Sequence, residues 1–365
     1  MRPAIPALFA LCASACGFSV AASGSGGDDG GPDSGPTSCT SSTWRDPAWK
    51  SRYPLIVQSG RVTGTPGELV VPVVLTSAEL KRARANGADL VFTAADGTTV
   101  LPFELDAFDA STGAVVGWVK LPMSSASDLT FYLYFDNASQ AAPVPRPDPW
   151  TDYLAVWHFH DEPTGVTPSL ADSTANANHA TAMGFEPTDK VAGKLDSAWR
   201  FDGTNNGASL SPFIHPAQFT IEAWVRPAAI TGYHTLIDNN MNRRWFGLFR
   251  YGTDLGVDYW DGADHPANVA ITLNVWHHVV ASYLGNQLRL YLDGTQVGNT
   301  VTLNLAAQMS PLQIGYSVAG ERFNGTIDEL RIRTSGLEDD EVLTSYTAQN
   351  APDQFIKPGS LQTCR

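Results

Sequence analysis

"QLRLYLDGTQV", residues 287–297, runs from a short apolar segment into Asp293-Gly294, a pair that marks a tight turn, and out again into a second strand-like segment. The unit recurs. Asp-Gly also stands at 202–203 and 261–262. Around these turns lie "YLAVWHFHD", "SAWRFDG", "FTIEAWVRP", "TLIDNN", "WFGLFRY", "LGVDYWDG", "VWHHVVASYL", "LQIGYS" and "GTIDELRIR". A strand about every eight to twelve residues is the spacing of a β-sandwich.

Composition points the same way. A chain of 365 residues with 43% apolar content can bury two cores, and frequent Gly, Asn, Asp and Thr between short apolar segments favour strands over helices. The formal charge of -14 repels nucleic acid and anionic lipid, and no basic patch offsets it.

The opening "MRPAIPALFALCASACGFSVAAS" has an early Arg, an apolar stretch too short to span a bilayer, and small residues near its end, so residues 1–22 are expected to be an export signal. Two cleavages fit: an A-x-A-like site around Val20, Ala21 and Ala22, or a lipoprotein cut that makes Cys16 the lipidated N-terminus. "ASAC" resembles a lipobox, with Ala13 where a larger aliphatic residue is usual. Residues 23–42, rich in Gly, Ser and Asp, read as a disordered spacer. The expected location is the outer membrane, as a lipoprotein, or the extracellular space, with membrane contact only through the lipid.

Residues 43–142 read as a β-sandwich with one short helix. Its segments include "PLIVQ", "ELVVPVVL", "AVVGWVKL" and "LTFYLYFD", with a type I′ hairpin turn at Asp96-Gly97. Thr76 and Glu79 form a capping-box pattern ahead of "AELKRARA", ended by Asn86 and Gly87. Pro143, Pro145, Pro147 and Pro149 predict a stiff hinge at 143–150. Residues 151–350 make the second domain, closed by a short helix with Ser335 and Glu338 as its cap, and 351–365 are expected to be a tail.

"WKSRYPLIV", "ANGADLVFTAADGTTVLPFELDAFD", "GWVKLP" and "LTFYLYFDN" together resemble a bacterial extracellular domain of unknown function that commonly precedes lectin-like modules. In the second half, "VWHF", "DSTANAN", "FDG", "FTIEAWVRP", "WHHVVASY", "LRLYLDG", "IGY" and "NGTIDELRI", closed by "SGLEDDEVLTSY", resemble the LamG-like jelly roll of the concanavalin A-like lectin/glucanase superfamily. The expected fold is therefore all-β with two domains, a β-sandwich followed by a LamG-like jelly roll.

The histidines of "AVWHFHDE" alternate along a strand, so His158 and His160 share one face and Trp157 and Phe159 the other. Such a pair is compatible with zinc, but no Cys or His elsewhere has a matching ligand spacing, and the resemblance accounts for "VWHF" as a structural first strand. His160 stays unexplained. In "WHHV", one of His277 and His278 should face the core and the other the surface.

A retaining glycosidase needs two carboxyl groups about 5–5.5 Å apart. The superfamily's glucanases carry them in an E-x-D-x-x-E pattern that this chain lacks; Glu222 has no same-face acid nearby, and Asp328 and Glu329 should point to opposite faces. Binding without catalysis is the expectation. Sugar C–H faces stack on aromatic rings and hydroxyls pair with Asp, Asn or Arg. The densest such collection is "YHTLIDNNMNRRWFGLFRYGTDLGVDYWDGADH", which offers Asp238, Asn240, Arg244, Trp245, Tyr259 and Trp260 as glycan ligands, with Asn239, Arg243, Phe249 and Tyr251 beside them. The same aromatics could instead cover a sheet or an interface. The partner expected is a polysaccharide or glycoconjugate, the alternatives being a cell-envelope protein bound by a structural or adhesion module, or turnover by a degenerate polysaccharide hydrolase.

LamG-like folds often carry calcium, for which Asp172 in "DSTANAN" and Asp328 are the candidates, against ordinary turn roles for both. Cys39 and Cys364 are the thiols left in the mature body and bracket it, so an oxidising compartment should join them.

Overall fold

The computed structural model describes residue 39, residues 42–165, 167–228, 233–238, 247–251, 254–258, 265–305, 308–317 and 320–364. It is all-β in two units, each a pair of facing sheets.

In the first unit, Ser51–Val57 pairs on one side with Leu129–Phe135, which pairs in turn with Val91–Thr93. The facing sheet orders Gly67–Thr76, Ala114–Met123 and Phe103–Asp109. Leu55, Val57, Val71, Phe92, Phe103, Val119 and Leu133 fill the space between them. Pro72 sits in the edge strand Gly67–Thr76, where a missing N–H leaves no ladder bond unmade. The Asp96 turn forms with Gly97 at φ +76° and with Asp96 Oδ1 accepting from the Thr98 and Thr99 amides; Asp96 itself stays out of the left-handed region that a type I′ turn requires.

The expected helix shortens to a five-residue 3₁₀ turn, Ala78–Arg82. Its cap is Ser77 rather than Thr76, with Ser77 Oγ accepting from the Glu79 amide, and extended backbone at Ala83 ends it.

The greater correction concerns residues 351–365. Instead of forming a tail they complete the first unit: Ile356–Pro358 and Gln362–Thr363 both pair antiparallel with Ser51–Val57. Phe355 and Ile356 are the reason, because both side chains drop into the first core. The Cys39–Cys364 disulfide forms as expected, with Cα atoms 4.9 Å apart, and joins the two ends of the described chain.

In the second unit, an eight-stranded sheet orders Thr295–Thr302, Gln287–Leu292, His277–Leu284, Phe219–Pro227, Asn324–Arg333, Ser197–Asp202 and Lys190–Ala192, with Tyr153–Trp157 also paired to Asn324–Arg333. A seven-stranded sheet orders His265–Ala270, Asp254–Asp258, Gly247–Tyr251, Tyr233–Asp238, Gln308–Ile314, Gly207–His215 and Thr181–Met183. Trp157, Phe159, Trp199, Phe201, Ile221, Leu236, Leu312 and Ile332 are among the side chains packed between them. Asp293 at φ +51° and Gly294 at φ +78° make the two left-handed residues of a type I′ turn between Gln287–Leu292 and Thr295–Thr302. The closing helix is Asp339–Asn350, capped by Glu338 itself with Glu341 completing the box, rather than by Ser335. Its acidic first turn meets the positive end of the helix.

The outer face of the eight-stranded sheet is covered. Val70 and Trp118 of the first unit pack with Trp150, Tyr153, Val156 and Leu195 over one half, and Leu337 and Val342 pack with Val280 and Tyr291 over the other. The Pro-rich stretch is tied down as well, since Arg146 Nε donates to the Phe103 carbonyl at 2.8 Å.

Candidate functional site

The seven-stranded sheet turns Ala208, Leu210, Ile237, Leu312 and Ile314 into the core. Alternation then places their neighbours on the outer face. Register lines four of these up across four strands: Thr181 opposite Ser209, Ser209 opposite Gln313, and Gln313 opposite Asp238. Thr181, Ser209 and Asp238 are half-buried, whereas Gln313 is recessed at 4% exposure with its Oε1 lacking any hydrogen-bond partner. A buried amide oxygen left unpaired costs about 1–3 kcal/mol, so the row holds an unmet acceptor, which a ligand hydroxyl would satisfy once the groups shielding it move aside.

On the same face, further along the same strands, Ile214 lies opposite Met309, and both are 61% exposed. Between this apolar pair and the polar row lie Pro311 and a bulge between Leu210 and Phe213. Strand rise separates Met309 from Gln313 by about 13 Å, so apolar contact and hydrogen bonding are offered side by side over the length of a short oligosaccharide.

Of the glycan ligands expected from sequence, Asp238 falls in this row. Asn240, Arg244, Trp245, Tyr259 and Trp260, with Asn239 and Arg243, lie outside the described residues. The strand Gly247–Tyr251, which carries Phe249 and Tyr251, pairs with Tyr233–Asp238 beside the row. Ser209, Gln313 and Thr181 gave no signal in the sequence, because a lone hydroxyl or amide on a strand looks like any solvent-facing position until register aligns it.

A second polar cluster lies on the covered face, at the seam between the units. His158 Nδ1 is 3.0 and 2.9 Å from the two Glu329 oxygens, and its Nε2 is 3.3 Å from Glu104 Oε2. Glu104 also accepts from Trp150 Nε1 at 2.5 Å and from Ser173 Oγ at 2.9 Å. His160 Nδ1 reaches Asp106 at 2.5 Å, and the His158 and His160 rings stack at 5.9 Å although the strand ends at Trp157 and Phe159, between them, has φ +59°. Trp118 covers His158 at 5.6 Å and also holds the Arg331 guanidinium, 4.4 Å above its ring. The structural role expected of His158 thus takes the form of an interdomain bridge. His160 gains a partner that sequence spacing could not show, because Asp106 lies in the other unit.

Asp328 and Glu329 do not point to opposite faces. Ile327 and Leu330 both face the core, so the two acids between them share the outer side. A register shift opposite Phe219–Pro227 and φ +50° at Glu329 make this a bulge, which is how a strand escapes its alternation.

Burial opposes charge on His158, yet Glu329, Asp106 and Glu104 raise its basicity well above that of a free imidazole. Burial also opposes charge on Asp106 and Glu104, but the His158 hydrogen bond and charge hold Glu104, and the His158 charge with the His160 hydrogen bond hold Asp106, below their ordinary values. Asp328 is pushed well up by burial and by the neighbouring Glu329 charge.

The calcium candidates are not brought together. Asp172 Oδ1 accepts from the Val156 and Thr174 amides and its Oδ2 from Thr174 Oγ1 and the Asn178 amide, while Asp328 Oδ2 accepts from the Lys194 and Leu195 amides. Among the described residues, the group of donors close enough to share an ion is Asp106, His158 and Glu329. Neither His277 nor His278 reaches the surface: His277 pairs with Asp293 at 2.8 Å, and His278 is fully buried between Trp224 and Tyr346 under the closing helix. Glu222, under the same helix, pairs with Arg331 at 2.8 Å.

Residues 202–343 match the model of the concanavalin A-like lectin/glucanases superfamily, so the second unit contains a domain of that class. No curated protein matches the chain. Solved structures similar to it include domain 4 of AbnA, an extracellular arabinanase from Geobacillus stearothermophilus in complex with arabinotriose, at 21% identity and a TM-score of 0.42, covering 53% of this chain and 98% of that one. The binding domain of Paraclostridial mosquitocidal protein 1 is similar at 16% identity and a TM-score of 0.42, covering 53% of this chain and 52% of that one. A structure of botulinum neurotoxin type C, whose cell entry is described as dependent on interaction with two ganglioside molecules, is similar at 10% identity and a TM-score of 0.41, covering 54% of this chain and 51% of that one. The chain spans about half the length of these two toxin structures.

Proposed function

We propose that this is an exported, non-catalytic glycan-binding protein whose ligand lies across the outer face of the seven-stranded sheet. The observation that carries the reading is the row Thr181, Ser209, Gln313 and Asp238, with an unsatisfied amide oxygen at its centre and the exposed Ile214 and Met309 along the same face, in a domain of the lectin/glucanase class. Hydroxyls pair with such a row while sugar C–H faces lie against the apolar pair. Absence of catalysis is supported by the state of the buried acids: Glu222, Asp328 and Glu329 belong to the covered face, where each has partners of its own. Export is supported by the signal-like opening and by the disulfide.

A glycan array probed with the disulfide-intact chain tests this directly. Dose-dependent retention of a neutral or acidic oligosaccharide is expected, and retention of none contradicts the reading. Repeating the array with chelator tests whether a calcium ion contributes to recognition. A protein-adhesion role would use the same face through Ile214 and Met309, and it predicts that Met309→Asp abolishes binding to a cell-envelope protein while every glycan fails.

A further inference from the structure

We infer that Asp106, His158 and Glu329 form a site for one divalent transition-metal ion, such as Zn²⁺ or Mn²⁺, at the seam between the two units. One donor atom from each lies within 4.8 Å of the other two. The 2.9 and 3.0 Å from His158 Nδ1 to the Glu329 oxygens match the about 3 Å that separates adjacent ligands each about 2.1 Å from a common ion. An imidazole nitrogen with two carboxylates suits a transition ion, whereas calcium takes oxygen ligands alone.

The surroundings are those of a ligand shell. With Nδ1 toward the ion, His158 Nε2–H donates to Glu104 Oε2, and Glu104 is itself fixed by Trp150 and Ser173. A metal-bound histidine commonly hands its second N–H to a carboxylate, which sets the tautomer and the ring plane. Asp106 is held by His160 in the same manner.

Two further observations point to a cation. Glu329 reaches the group only because its backbone adopts φ +50°, a strained conformation for a residue with a side chain. Next to it, Asp328 is 1% exposed and its Oδ1 has no hydrogen-bond partner. Three carboxylates, Glu104, Asp106 and Glu329, contact the two imidazoles, and Arg331 pairs with Glu222 beside them. A divalent ion held by the three donors would bridge Asp106 of the first unit to His158 and Glu329 of the second. Its role would be to clamp the two units, with His160, a third exposed at its side chain, marking the way in.

The full disulfide-intact chain, unfolded in chelator and refolded metal-free, is titrated with Zn²⁺, Mn²⁺ and Ca²⁺ separately. Thermal unfolding and the metal retained after desalting are then measured. One equivalent of Zn²⁺ or Mn²⁺ is expected, with a melting-temperature rise of roughly 5 °C at a hundredfold excess over Kd and none with Ca²⁺. Asp106→Asn and Glu329→Gln should each abolish the rise; Asp106→Asn preserves shape, so it remains readable if the bulge variant fails to fold. Equal melting temperatures with all three ions, a response to Ca²⁺ alone, or full retention by Asp106→Asn would each overturn the assignment. In that event the seam is held by proton-bridged ion pairs alone.

Discussion

The two outer sheet faces of the second unit are built from the same kind of strand and meet opposite fates. The eight-stranded sheet's face carries Trp118 contacts, Arg331, Glu222 and His278, and it is sealed by the first unit and the closing helix. The seven-stranded sheet's face carries a recessed glutamine without a partner and an exposed Ile–Met pair. Most charges on the first face are paired, as buried charges must be, although Asp328 Oδ1 and His278 Nδ1 lack a hydrogen bond. On the second, Gln313 has a polar atom that the folded chain leaves unmatched. Stability resides on one face, and the proposed recognition on the other.

That contrast can be broken at several points, of decreasing effect on stability. Opening the disulfide with Cys39→Ser and Cys364→Ser should cost the most, about 5 kcal/mol, because the bridge closes a loop with a sequence separation of 325. Urea unfolding of the oxidised and double-serine proteins measures it. Arg331→Met removes the partner of a fully buried Glu222 and should cost about 3–5 kcal/mol, while glycan affinity in the folded fraction stays unchanged. A large loss of affinity there would mean that the sealed face takes part in recognition.

Acid sharpens the same point. Burial alone would raise the Glu222 carboxyl, but Arg331, His278 and Ser345 outweigh it and hold the group at about 2, against 4.5 when free. A carboxyl depressed on folding stabilises the protein fully above its unfolded value, and the contribution is lost as pH falls from about 4.5 through about 2. Up to about 3 kcal/mol should disappear across that window, and Glu222→Gln should flatten the slope of stability against pH within it. A slope identical in the variant would show that Glu222 is not held as described.

The smallest effect on stability belongs to the open face. Gln313→Leu should be neutral or stabilising by up to about 1 kcal/mol, since it removes an unpaired buried oxygen. A loss of 2 kcal/mol or more in calorimetry would mean that Gln313 serves the fold.

Much of this architecture was legible in the chain. The Asp293-Gly294 turn, the strand spacing and the pairing of Cys39 with Cys364 all follow from local rules or from simple counting. What escaped was any choice between outsides. Alternation says that His158 faces away from its own core, but not that Glu104 and Asp106, more than fifty residues earlier, will cover it. The bulge at Asp328 and Glu329 was hidden for a related reason: the partner of Asn324–Arg333 changes there from Ser197–Asp202 to Tyr153–Trp157, and no local pattern announces that. Phe355 and Ile356 were too short an apolar run to mark a strand, so the C-terminal return was missed. On the open face the aromatic-rich loop drew attention, while the row through Gln313 required register to be seen.

The central claim is that the face lined by Gln313 and Asp238 is the recognition surface. Isothermal titration of an array-identified oligosaccharide into the wild-type chain, Gln313→Ala and Asp238→Ala tests it most directly, with melting temperatures recorded alongside. A loss of at least tenfold in affinity for each variant is the expected result, with the melting temperature unchanged in Gln313→Ala. Affinities equal to wild type in both variants would contradict the account and move the site elsewhere on the molecule.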